Sequence, residues 1–163
     1  MNEKFFALPV ERQEQIINAA YEVFSRNSYK NASMSRLADA GGVSKSLLFH
    51  YFLNKKELYL YLWEHAGRLF REAAGKGHTQ STDFFEIICQ RVLANCVFMR
   101  EAPTIYLFAL RALFEENPEI NGYLLSCYWQ MFLSGELAPD FLEKDILKRT
   151  GQWRMVYLKE RND

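Results

Sequence analysis

Two adjacent ammonium groups give this chain its clearest chemical signal. Lys55 and Lys56 lie inside Asn54-Lys55-Lys56-Glu57, where Asn54 takes the Ser/Thr role of a capping box and predicts a helix running to about Gly75. A helix N-terminus already carries partial positive charge, so two lysines in its first turn oppose helix stability. They suit an anion instead, because exposed N–H groups and ammonium groups together bind phosphate. Two solvated lysines would give the same pattern. Other chemistries find little support. His50, His65 and His78 fall in no metal-ligand or triad spacing, and no GxSxG, P-loop or dinucleotide fingerprint occurs. The reading is therefore of a non-enzyme with no metal ligands and no cofactor.

Cys89, Cys96 and Cys127 are odd in number and form no CxxC, which indicates neither a disulfide framework nor a zinc site. Cys89 and Cys96 stand seven residues apart on one helix face and are expected as small apolar core residues. The 163 residues are 49% hydrophobic and 15% aromatic, which excludes a disordered tail protein or a disulfide scaffold. No apolar run approaches the roughly 18 residues of a membrane span, and Met1-Asn2-Glu3-Lys4-Phe5-Phe6 lacks the pattern of a signal peptide. A soluble cytoplasmic protein without a membrane partner is expected. Twenty basic residues cancel twenty acidic ones, yet residues 1–78 carry eleven Lys/Arg against eight Asp/Glu, and residues 79–163 nine against twelve. A local basic patch, not the total, decides nucleic-acid binding.

The elements that must position these groups are helical. From Pro9 to Arg26, Ile16, Ile17, Ala20, Tyr21, Val23 and Phe24 follow the spacing of one buried stripe, with Pro9 in the first turn and Asn27-Ser28 as a left-handed stop. Ser33 can cap a helix over Met34–Ala40, Gly41-Gly42 breaks it, and Ser44 can cap another over Lys45–Tyr51. Two short helices joined by a glycine turn make a helix-turn-helix, whose second helix enters the major groove in DNA binders; an ordinary helical corner has the same pattern. After a polar linker over 75–81, further helices are expected from Ser81 or Thr82 to Glu101, from Pro103 to Glu116, from Glu119 to Leu133, and from Pro139 onward. Their aromatic residues can fill a bundle core or line an apolar cavity. The candidate cavity residues are Phe85, Cys89, Phe98, Tyr106, Leu110, Tyr128, Trp129 and Phe132.

The segment from Ile16 to Leu62 resembles the DNA-binding head of the TetR family of one-component transcriptional regulators. The resemblance rests on Ile17-Asn18-Ala19-Ala20 with Phe24, Tyr29 with Ser33-Met34, and Leu37-Ala38. It continues through Gly42-Val43-Ser44-Lys45-Ser46, Leu48-Phe49-His50-Tyr51-Phe52 and Asn54-Lys55-Lys56-Glu57-Leu58. It implies an all-α fold: a three-helix head with the helix-turn-helix (1–53), a connecting fourth helix and linker (54–80), and an antiparallel helical domain for ligand binding and dimerisation (81–163). It also implies that Ser33 and Ser35 bond backbone phosphate, that Ser44 caps the recognition helix, and that Lys45, Ser46 and Leu47 lie against base edges. Tyr51 and Lys55 would anchor phosphates on either side, with Phe49 and the phosphate-proximal His50 completing the surface.

Four positions depart from the family pattern. Leu47 stands where a small hydroxyl residue is usual, Phe49 where Tyr is, Ser28 where glycine is and Gly41 where alanine is. The chain is also short for the family, with room for one pairing helix around Phe141–Leu158. The implied function is a ligand-responsive regulator, a repressor in this reading. A homodimer would bind a palindromic double-stranded DNA operator and be released by a small apolar or aromatic effector. The alternative is a small-molecule-binding or partner-binding module whose shortened dimerisation region impairs DNA binding.

Overall fold

Helix α2 (Val10–Arg26) forms around the stripe read from the sequence: Ile16, Ile17, Ala20, Tyr21, Val23 and Phe24 are all buried. The computed structural model describes residues 3–75 and 83–124, all within the first of the chain's two units, Met1–Leu124. Every regular element among the described residues is helical. Pro9 stands one residue ahead of α2 as its N-cap and offers its carbonyl to the N–H groups of Arg12 and Gln13. At the other end the sequence expectation needs correction. Asn27 is extended (φ −129°, ψ 144°), not left-handed. Its backbone N–H and its side-chain amide both donate to the Val23 carbonyl, at 3.1 and 2.7 Å.

The N-terminal residues also form structure that the sequence reading left unassigned. Helix α1 (Glu3–Phe6) buries Phe5 completely, with its ring centroid 4.9 Å from Phe52 and 5.8 Å from Tyr51. Helices α3 (Met34–Ala40) and α4 (Lys45–Tyr51) have the expected limits, set by the Ser33 and Ser44 caps. Helix α5 (Lys55–Gly75) follows, opened by Asn54, whose side-chain oxygen accepts from Glu57 N–H at 2.9 Å.

Helix α6 (Phe84–Glu101) starts at Asp83, not at Ser81 or Thr82; the Asp83 carboxylate accepts from the N–H groups of both Phe85 and Glu86. Helix α7 (Pro103–Leu113) has proline in its first turn, where no N–H is missed, and ends earlier than expected. Both pack on α5 and on each other, and α7 also packs on α2. Phe108 is fully buried where they meet, its ring edge-on to Tyr21 (5.2 Å) and Tyr59 (5.1 Å). Below it, Tyr21 donates to the Leu62 carbonyl at 2.8 Å and meets His65 Nδ1 at 2.9 Å.

A turn over 114–120 leads to helical residues 121–124. The linker over 76–82, Cys127, Tyr128, Trp129, Phe132 and the expected pairing helix around Phe141–Leu158 lie outside the described residues.

Candidate nucleic-acid interface

The turn between α3 and α4 is built from two glycines with different duties. Gly41 keeps ordinary helical angles (φ −80°, ψ −1°), with its N–H on the Leu37 carbonyl. Gly42 has φ +61°, a left-handed conformation that a side chain would strain. The chain then closes back, with Val43 N–H on the Ala38 carbonyl at 3.0 Å. Arg12 of α2 braces this corner by donating from Nη2 to the Gly42 carbonyl at 2.6 Å, and it also bonds Gln15. No motif marks Arg12; its bond spans thirty residues.

Ser44 then caps α4, its Oγ accepting from Leu47 N–H at 3.2 Å and lying 3.1 Å from Ser46 Oγ. Only Leu48 and Tyr51 of α4 are buried, which fixes the helix to the head. The opposite face presents Lys45, Ser46 and His50, with Leu47 37% and Phe49 39% exposed. Thus the structure brings together on one outward surface five residues proposed from sequence for this role. Ser33 and Ser35 are exposed at the start of α3. Ser33 Oγ accepts from Arg36 N–H, an acceptor role that leaves its hydroxyl hydrogen available to a phosphate oxygen.

The two expected phosphate anchors are placed differently. Tyr51 is buried against Phe5 and belongs to the packing behind α4. Lys55 is committed inward: Nζ donates to the Tyr29 carbonyl at 2.7 Å and sits 4.3 Å above the Tyr29 ring. Burial pulls its ammonium below the usual lysine range, with the charges of Glu119 and Glu115 opposing that shift. These partners explain how a lysine survives beside a helix N-terminus. Lys56, its neighbour, is exposed.

The candidate effector residues do not gather into one cavity among the described positions. Phe98 is buried and shares the Phe70 ring with Tyr106. Phe85 is 76% exposed, and Leu110 is exposed on a different helix. Cys89 and Cys96 are exposed, which corrects the core assignment. Seven-residue spacing sets both on one face of α6, but Ala94 and Phe98 define the inward one. A separate open cleft of about 510 Å³ lies between α2 and α7, lined by Ser25, Ser28, Leu107, Leu110, Phe114 and Glu115 among others. No group of three His, Cys, Asp or Glu able to hold a metal occurs among the described residues. No described helix is long and apolar enough to cross a membrane.

A short helix seated by two buried side chains, with its polar and apolar outer face in solvent, defines a helix-turn-helix head. Residues 16–62 match the model of the family described as "Bacterial regulatory proteins, tetR family". Over 50 residues the chain is 48% identical to the HTH-type transcriptional activator FasR of Mycolicibacterium smegmatis, a stretch covering 31% of this chain and 23% of that protein. Over 70 residues it is 33% identical to the HTH-type transcriptional repressor AcnR of Corynebacterium efficiens, covering 42% of this chain and 37% of that protein. The matches therefore span well under half the length of either relative. A TetR family transcriptional regulator from Chloroflexus aurantiacus shares the fold, with a TM-score of 0.65, 23% identity and coverage of 84% of this chain and 66% of that one.

Proposed function

We propose that this chain is a DNA-binding transcriptional regulator whose α4 enters the major groove. The carrying observation is the division of α4: Leu48 and Tyr51 are buried, while Lys45, Ser46, Leu47, Phe49 and His50 face outward. Phosphate contacts from Ser33, Ser35 and Lys56 would fix register, and Lys45, Ser46 and Leu47 would set sequence preference. Residues 1–53 act as the head, 54–80 as the connection, and 81–163 as the part that binds an effector and a second copy. Two heads on a palindromic operator would supply the specificity that one short helix lacks. A small apolar or aromatic effector would release DNA by binding better to a conformation with misplaced heads.

The test is fluorescence anisotropy with a duplex selected by the full chain from a random-sequence pool. Lys45→Ala is expected to weaken binding about tenfold, the worth of one good base-edge contact. Binding of that duplex equally by the wild type and by Lys45→Ala would refute this placement of α4.

A further inference from the structure

The loop between α2 and α3 is held from outside the head. Tyr29 N–H donates to Glu115 Oε2 at 2.8 Å, across 86 residues of sequence. The other carboxylate oxygen of Glu115 accepts from Asn117 N–H at 3.2 Å. The Glu115 backbone is itself fixed, because Asn121 Nδ2 donates to its carbonyl at 2.7 Å. The carboxylate is thus aimed, with both of its oxygens engaged. Beside it, Arg111 Nε donates to the Ser25 carbonyl at 3.1 Å in the last turn of α2. Lys55 donates to the Tyr29 carbonyl at 2.7 Å. Tyr29 therefore has its N–H and its C=O each bonded to a side chain from a different part of the chain.

This loop in turn places the reading surface. Asn27 Oδ1 accepts from Arg36 Nη1 of α3 at 2.9 Å, and Ser33, the N-cap of α3, directly follows the buried Ala32. A shift of the loop moves α3, and α3 carries α4 across the glycine corner.

We infer that Glu115, which lies far outside residues 16–62, is a positioning residue for DNA binding: by holding Tyr29 N–H it fixes where α3 and α4 meet the duplex. This inference rests on the DNA-binding reading above. It requires an acceptor at position 115, not a negative charge touching DNA, so the effect of substitution follows hydrogen-bonding capacity.

The experiment compares the full-length wild type, Glu115→Ala, Glu115→Gln and Ile17→Val on the selected duplex, with amide hydrogen exchange at Tyr29 measured in parallel. Ile17 is buried in α2 and is not one of the bridging residues, and its substitution controls for general loss of stability. Glu115→Ala is expected to lose about tenfold in affinity, the worth of a hydrogen bond to a charged group, together with exchange protection at Tyr29. Glu115→Gln, which keeps a carbonyl oxygen, is expected to restore both in large part, and Ile17→Val to bind like wild type. The slope of affinity against salt should stay the same in all four, since no phosphate contact is removed. Should Glu115→Ala fail to fold, Glu115→Asp, which withdraws the carboxylate by one methylene, takes its place with the same expectation. Wild-type affinity in the Ala or Asp variant, equal losses in Ala and Gln, or an equal loss in Ile17→Val would each overturn the inference. Failure of the wild type to select any duplex would refute the DNA-binding reading and this inference with it.

Discussion

Replacing Lys55 and Lys56 separately distinguishes two jobs that look alike in the sequence. Lys55 donates to the Tyr29 carbonyl at 2.7 Å and covers the Tyr29 ring, whereas Lys56 is exposed. Lys55→Met keeps the aliphatic stem but leaves that carbonyl without its donor. An unsatisfied polar group of this kind costs about 1–3 kcal/mol when buried, and partial exposure of the site lowers this to about 1–2 kcal/mol. For a chain of 163 residues that corresponds to a fall in Tm of roughly 2–8 °C. Lys56→Ala removes no internal bond and takes a positive charge away from a helix N-terminus, so Tm should stay the same or rise slightly. The order reverses in the salt dependence of DNA binding, where each lost phosphate contact lowers the slope of log K against log salt by about 0.9. Lys56→Ala is expected to show that reduction. Lys55→Met should weaken binding through its loop with the slope intact. Differential scanning fluorimetry and anisotropy titrations at several salt concentrations measure both quantities. A reduced slope with unchanged Tm in Lys55→Met would refute the reasoning.

Other expectations follow from single sites. Gly41→Ala should raise stability by about 0.5 kcal/mol, because the angles there are helical and the added Cβ meets only ordinary contacts at 3.4 Å or more. Gly42→Ala, at φ +61°, should instead cost about 1 kcal/mol; chemical denaturation of the two variants checks the pair. If Leu47 packs on a thymine methyl, replacing thymine by uracil at one position of each half-site should weaken wild-type binding by about threefold to tenfold, and Leu47→Ala should abolish that difference. Equal sensitivity to uracil in both proteins would remove Leu47 from base reading. His65 is held below its usual pKa by burial, with Arg68 adding to the shift. Below about pH 6.5 the unfolded chain therefore takes up the proton first, and stability falls as pH drops. His65→Gln should flatten that acid-side decline in Tm between pH 7 and about pH 5.

What the sequence made legible is local. The Ser33 and Ser44 caps and the glycine pair bracket α3 and α4 within a few residues, so the limits of both helices followed from nearest neighbours. The stripe in α2 is equally local, since its period alone identifies the buried face. By contrast, Cys89 and Cys96 show the limit of periodicity: it tells which residues share a face, not which face turns inward. Lys55 shows a second limit. Its place in the first turn of α5 was readable, but its partner Tyr29 depends on how a loop 26 residues upstream comes to rest. Arg12 on Gly42 and Glu115 on Tyr29 carry no motif at all, being single polar contacts across 30 and 86 residues. Phe5 left a trace, an aromatic pair with Phe6, but nothing in the sequence alone ties it to Tyr51 and Phe52.

Helix α4 has seven residues, far fewer than the roughly 12–15 at which an isolated helix becomes even marginal in water. Its order is borrowed mainly through the buried Leu48 and Tyr51, and the five outward positions, of which Leu47 and Phe49 are partly covered, contribute less to holding it. The consequence is evolutionary: those five letters can be rewritten one at a time without disturbing the scaffold, so descendants of this head could acquire new target preferences while keeping the same fold.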